Sequence, residues 1–183
     1  QKRKKLELFL IVTGTHLSKN HGYTIREIEK DGFKISKKIH MFPKNDDNFS
    51  MSTELGKGII EFSKCFKQIK PDVNIILGDR DEMLASALAA SHMNIINAHI
   101  HGGDVSGGLD EYIRHAITKI SNLHFPATKK SKDRIIKMGE DPKYVFHTGS
   151  TSIDEIKNNH ISDKNSIQKK YGIKLIGNEI LLV

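Results

Sequence analysis

The chain has 183 residues, room for one ordinary domain with a fragment of a second, and its 37% hydrophobic content is enough for a packed core. No apolar run approaches the roughly 18–20 residues of a membrane helix, and apolar clusters recurring in periodic segments exclude a disordered chain. The formal net charge of +7 is scattered and lacks an aromatic-rich basic motif; it reads as a solvated surface suited to an anionic small substrate, not a nucleic-acid groove.

In "QKRKKLELFLIV", basic residues precede apolar ones as in a signal peptide. The apolar part is short, contains Glu7, and is followed by "TGTH" instead of a small-residue cleavage site, so it reads as a buried strand. "YTIREIEKDG" is a short helix closed by Gly32, and "FKISKKIHM" is a strand. The polar loop "PKNDDNFS" leads into the long helix "MSTELGKGIIEFSKCFKQIK", which Pro71 stops. Cys65 packs on the apolar face of that helix. As the single cysteine it forms no internal disulfide, which suits a reducing, cytoplasmic location. "DVNIILGDR" is a strand with a Gly-Asp turn, "DEMLASALAASHM" a helix, "NIINAHI" a strand and "DEYIRHAITKIS" a helix. "NLHFPAT" is a strand, "KKSKDRIIKMG" a helix and "YVFHTGS" a strand. Short apolar runs alternating with amphipathic helices predict a doubly wound parallel α/β sheet, whose ligands bind beyond the carboxyl ends of its strands. Beyond "SIDEIKNNHISDKNSIQKKYGIK", the stretch "NEILLV" reads as a further strand just beginning, so the chain is expected to be a piece of a longer protein.

Three predicted strands end in polar or glycine-rich turns, "LGDR", "HIHGGD" and "HTGS", and chemistry is expected where they converge. His99 and His101 alternate across Ile100. In extended backbone they share a face, and with Asp104 they have the spacing of a metal-dependent hydrolase; the alternative is that His99 is buried and bonded to backbone. The glycines of "GGDVSGG" either bring backbone amides to phosphate oxygens at the start of the next helix or form an ordinary turn. Asp79 either enters the cleft as a base or hydroxyl holder, or caps the following helix, a role open to Asp81 as well. Asp110 and Glu111 suit a helix N-terminus in any protein, and Arg114 lies four residues after Asp110 on the same face. The pair can form a surface ion pair or can place a base and an anion-holding cation at one mouth.

The stretch from "ILGDRDEMLASALAASHMNIINAHIHGGDVSGGLDEYIRHAITK" to "HTGSTSID", with "LIVTGTHLSKNHGYTIREIEKDGF" before it, resembles the hydrolysing UDP-N-acetylglucosamine 2-epimerases of sialic and legionaminic acid biosynthesis. The resemblance implies a GT-B architecture of two Rossmann-like halves. Residues 1–156 would form the N-terminal half without its first strand and helix. Residues 157–183 would be the connection and first strand of a mostly absent C-terminal half, leaving this chain inactive alone. It implies elimination of UDP and hydration of the resulting glycal to N-acetylmannosamine or its diacetamido analogue, without metal or nicotinamide cofactor. It also implies a homo-oligomer acting on a UDP-sugar, with no nucleic-acid or membrane partner. By motif position the acid–base residues are Asp79, His101 and Asp110, and the substrate-side residues are Gly102, Gly103, Glu111, Arg114 and Ser150. Some relatives carry glutamate where His101 stands, a departure because histidine titrates near neutrality and glutamate does not. The other readings are a non-hydrolysing epimerase, an HxH metal-dependent hydrolase, and a nucleotide-sugar-binding half-domain without catalysis.

Overall fold

The computed structural model describes residues 6–41, 43, 45, 47–158 and 163–177. The chain divides into two compact units, residues 1–149 and 150–183.

In the first unit, parallel strands alternate with helices. β1 (Leu10–Thr13) pairs with β2 (Ile35–Ile39), and the short helix α1 (Ile25–Lys30) lies between them in sequence. β3 (Val73–Leu77), β4 (Ile96–Ile100) and β5 (Leu123–Phe125) form a second parallel sheet in that order. Helices α2 (Asn48–Ile69), α3 (Asp81–His92), α4 (Gly108–Lys119) and α5 (Lys129–Lys137) complete the alternation. This is the expected Rossmann-like alternation. It differs from one continuous sheet: among the described residues no ladder joins β1 to β3, so the strands fall into two sheets.

Helix α3 ties the two sheets together. Its Ala85, Ala89 and Ala90 pack with Ile39 of β2 and with Phe62, Cys65 and Phe66 of α2, while its Ala87 packs with Ile76 of β3 and Ile113 and Ile117 of α4. The alanines explain how one helix serves both cores, because short side chains let α2 approach closely. Helix α2 begins at Asp47, whose carboxylate accepts the Ser50 N–H at 2.8 Å, and ends at Lys70 in left-handed backbone just before Pro71. Cys65 is buried, as its place on the helix face predicts.

Two predicted strands come out shorter or looser. Leu6 and Leu8 are exposed and precede β1. "YVFHTGS" is not a regular strand, yet it follows β5 in parallel: Val145 bridges to His124, Phe146 N–H donates to the His124 carbonyl at 2.8 Å, and Thr148 N–H to that of Pro126 at 3.3 Å.

The second unit contains helices α6 (Thr151–Asn158) and α7 (Lys164–Tyr171). The Asp163 carboxylate caps α7 by accepting the N–H groups of Asn165 and Ser166, and Gly172 closes it with φ +64°. The predicted strand "NEILLV" lies outside the described residues. No described helix is long and apolar enough to cross a membrane.

Candidate functional site

The site is built at the carboxyl ends of β3 and β4 and the start of α4. After Leu77 the chain turns at Gly78 (φ +80°), a conformation that favours glycine, and presents Asp79. Asp79 does not cap α3: Arg80 stands at the cap position and makes no side-chain cap. The Asp79 carboxylate instead accepts a hydrogen bond from Nη2 of Arg114, which is 9% exposed. Nη1 of the same guanidinium donates to the Asp104 carbonyl and the Ser106 hydroxyl, each at 3.0 Å. Burial lowers the Arg114 pKa from its ordinary value. Arg114 therefore makes a buried link between elements, not the surface pair with Asp110 that the four-residue spacing allowed.

The two histidines of "HIH" separate. His99 is the last fully buried residue of β4; its Nε2 lies 2.8 Å from the Gly78 carbonyl and its Nδ1 3.2 Å from Thr118 Oγ1. With both nitrogens occupied, His99 fits the backbone-bonded reading rather than metal ligation. Burial pushes its pKa down to about 4, against the opposing pull of the Gly78 carbonyl. Among the described residues no group of three or more His, Cys, Asp or Glu is placed to hold a metal ion. His101 leaves the strand at φ +62°, a conformation that costs a non-glycine residue roughly 1–3 kcal/mol. Its N–H donates to the Phe125 carbonyl at 3.1 Å, and its Nε2 is buried without a hydrogen-bond partner among the described residues.

Gly102 and Gly103 are buried, and packing explains both. A Cβ on Gly102 would lie 2.8 Å from His99 Nδ1, and one on Gly103 would lie 2.6 Å from the Ser131 carbonyl. The Gly103 carbonyl accepts from Arg134 Nη1, and the Asp104 carboxylate accepts from the Ser131 hydroxyl. Thr128 caps α5 by accepting the Ser131 N–H, so the glycine turn is seated on the first turn of α5. Glu111 reaches back from α4 to accept the N–H groups of Ser106 at 3.0 Å and Gly107 at 2.7 Å. These bonds, Gly107 first, lower its pKa. Glu111 thus occupies two of the backbone amides of the glycine-rich turn.

Asp110 lies exposed in the first turn of α4. Burial raises the Asp81 carboxyl pKa; the Arg80 charge opposes that shift and the Asp110 charge adds to it, so Asp81 and Asp110 are near enough to repel. Sequence reasoning gave Asp81 only a capping role; its nearness to Asp110, across 29 residues of chain, leaves no sequence signal. His115, next to Arg114 on α4, has Nε2 3.9 Å from Glu111 Oε1 and a buried Nδ1 with no partner among the described residues. Ser150 belongs to the second unit, where its carbonyl accepts the N–H groups of Ile153 and Asp154 at the start of α6.

The chain is 42% identical over 167 residues to the UDP-N,N'-diacetylbacillosamine 2-epimerase (hydrolyzing) of Legionella pneumophila, covering 91% of this chain and 44% of that protein. It is 42% identical over 176 residues to the GDP/UDP-N,N'-diacetylbacillosamine 2-epimerase (hydrolyzing) of Campylobacter jejuni, covering 96% and 46% respectively. It therefore spans under half the length of these curated relatives. Among solved structures, the Neisseria meningitidis UDP-GlcNAc 2-epimerase bound to UDP-GlcNAc superposes with a TM-score of 0.71 at 20% identity, over 93% of this chain and 48% of that one; that likeness carries the fold. The fold matches one Rossmann-like half of a GT-B protein, and the family profile described as UDP-N-acetylglucosamine 2-epimerase matches residues 1–183. The chain belongs to the UDP-N-acetylglucosamine 2-epimerase family.

Proposed function

We propose that this chain supplies the N-terminal side of a hydrolysing UDP-sugar 2-epimerase site and that Asp79, His101 and Asp110 form its acid–base set. The observation that carries the reading is His101, held at φ +62° at a strand end with its Nε2 buried and unpartnered. A desolvated imidazole nitrogen with no internal bond is free to exchange a proton with a bound substrate.

The reaction is redox-neutral. A base removes the proton on C2 of the sugar while the C1–O bond to UDP breaks, its electron pair leaving with UDP and a C1=C2 double bond forming. Water then adds its oxygen to C1, and a proton is delivered to C2 from the opposite face, so the products are the free C2-epimeric sugar and UDP. His101 handles the C2 proton. Asp110, exposed at the mouth, directs the water. Asp79 works with Arg114, whose guanidinium fixes the carboxylate and the 104–106 loop together. Gly102, Gly103 and Glu111 act on substrate through the loop they shape.

The two 42%-identical relatives named as hydrolysing N,N'-diacetylbacillosamine 2-epimerases favour a UDP-diacetamido sugar as substrate ahead of UDP-N-acetylglucosamine. The test uses the complete protein and measures free UDP with each nucleotide sugar. Release of stoichiometric UDP and free epimerised sugar supports the reading; recovery of UDP still joined to the epimer overturns hydrolysis in favour of the non-hydrolysing reaction.

A further inference from the structure

We propose that His99 is a positioning residue that braces the three segments carrying Asp79, His101 and Arg114; the inference rests on the site reading above. The strand "NAHI" buries this imidazole completely between β3 and α4, and it reaches all three segments at once.

The first contact is with the β3 turn. A carbonyl only accepts, so the 2.8 Å contact to Gly78 requires Nε2 to carry the proton. The Gly78 carbonyl belongs to the peptide that continues into Asp79, and the Gly78 N–H donates to the Ile100 carbonyl at 3.1 Å. Gly78, the residue ahead of Asp79, is therefore held at both its N–H and its carbonyl, once by strand backbone and once by the ring.

The second contact is with the turn after His101. Gly102 packs over the ring so closely that a Cβ there would lie 2.8 Å from Nδ1 and 2.9 Å from Thr118 Oγ1. The ring and the Thr118 hydroxyl form the floor on which the His101–Gly102 turn rests. The third contact runs through Thr118 to α4. Thr118 Oγ1 lies 3.2 Å from Nδ1 and 3.0 Å from the Arg114 carbonyl, so its single proton is shared between the ring and the residue that holds Asp79.

Both nitrogens are thus committed to internal partners. Burial keeps the ring neutral, which preserves the one tautomer these contacts need. His124, His101 and His115 also disfavour a charge on the ring.

The test uses the complete protein with the variants His99→Leu, His99→Gln and Thr118→Val, read by kcat, KM and melting temperature. A misplacement of about 1 Å at a catalytic group costs about 100-fold, so His99→Leu is expected to lose about that much kcat with little change in KM. Glutamine returns a donor near the Nε2 position and is expected to recover roughly tenfold, the scale of one hydrogen bond. Thr118→Val should lower kcat less than His99→Leu. Equal kcat in the leucine and glutamine variants, or wild-type kcat in His99→Leu, overturns the proposal.

A readout independent of turnover separates this inference from the functional reading. Nitrogen-15 NMR of labelled histidine should show a slowly exchanging Nε2–H on His99, and His99→Leu should shift the backbone amides of Asp79, His101 and Arg114. An Nδ1–H tautomer, or unshifted amides, overturns the bracing role even if the protein turns over UDP-sugar. If wild type turns over none while the tautomer and shifts are as expected, the functional reading fails and the bracing stands.

Discussion

Arg114, at the seventh position of α4, donates to the carboxylate of Asp79 at the end of β3, joining residues 35 apart in the sequence. The same guanidinium holds the Asp104 carbonyl and the Ser106 hydroxyl, so one buried side chain fixes an acid and the loop beside it. Arginine suits the task because its planar fork points several donors in fixed directions, whereas lysine offers one compact ammonium.

Arg114→Lys is therefore expected to fold but to lose both loop bonds. Charged hydrogen bonds contribute roughly 1.5–3 kcal/mol each, so chemical denaturation should show a loss of about 3 kcal/mol or more for the two. In the complete enzyme kcat should fall about 100-fold. A double-mutant cycle with Asp79→Asn should show coupling of at least about 1 kcal/mol; additive losses would mean the pair does not act as a unit.

Gly103→Ala should be among the costliest single-methyl additions in the chain. The position combines φ +79° with a would-be Cβ 2.6 Å from the Ser131 carbonyl and 2.7 Å from Ile135 Cγ1. The expected loss is about 2–4 kcal/mol. Gly32→Ala has the same sign of φ but open space around it, and should cost only about 1 kcal/mol. Melting temperatures of the two variants decide the point; equal losses would show that backbone conformation alone governs both.

Acid should loosen the chain in a window set by His99. Its folded pKa of about 4 lies below its ordinary 6.5, so the unfolded chain takes up the proton first as pH falls. Stability is complete above pH 6.5 and declines toward pH 4, by roughly 3 kcal/mol from this residue. Burial also lowers the pKa of His124 despite Glu140 at 3.3 Å, which adds loss on the same side of 6.5. Denaturation between pH 7 and 4 should show a flatter slope for His99→Gln than for wild type. An unchanged slope would assign the effect elsewhere.

The loop 104–108 should respond to a second, lower window. Glu111 has its pKa lowered from 4.5 by the Gly107 and Ser106 amides it accepts. Its contribution is present above pH 4.5 and is lost as pH falls through the lower folded value. Glu111→Ala should open the loop at neutral pH, seen as faster proteolysis and amide exchange at Ser106 and Gly107. Exchange as slow as wild type would mean that other contacts hold the loop.

Periodicity made the strands and helices legible, since apolar runs and caps are local signals. Gly32 and Pro71 mark helix ends that the structure places within a few residues, whereas α2 starts at Asn48, inside the predicted polar loop, because Asp47 caps it. The site was legible as a set of turns and not as a set of contacts. Asp79 and Arg114 were both visible, but Arg114 had a nearer acid in Asp110, and only tertiary packing selects the distant one. Strand alternation put His99 and His101 on one face; the strand ends at Ile100, and a positive φ at a histidine leaves no mark in the sequence. Gly102 and Gly103 drew notice as a phosphate loop, whereas contacts with His99 and Ser131 account for them. The division into two sheets was likewise hidden, because each strand reads the same whether or not its neighbour is paired.

The most direct measurement is proton NMR of the complete protein turning over UDP-N,N'-diacetylbacillosamine, and separately UDP-N-acetylglucosamine, in deuterated water. Proton exchange at C2 by His101 predicts free UDP appearing together with an epimerised sugar carrying deuterium at C2, and a loss of both in His101→Gln. Product with hydrogen retained at C2, or His101→Gln turning over at the wild-type rate, would contradict it.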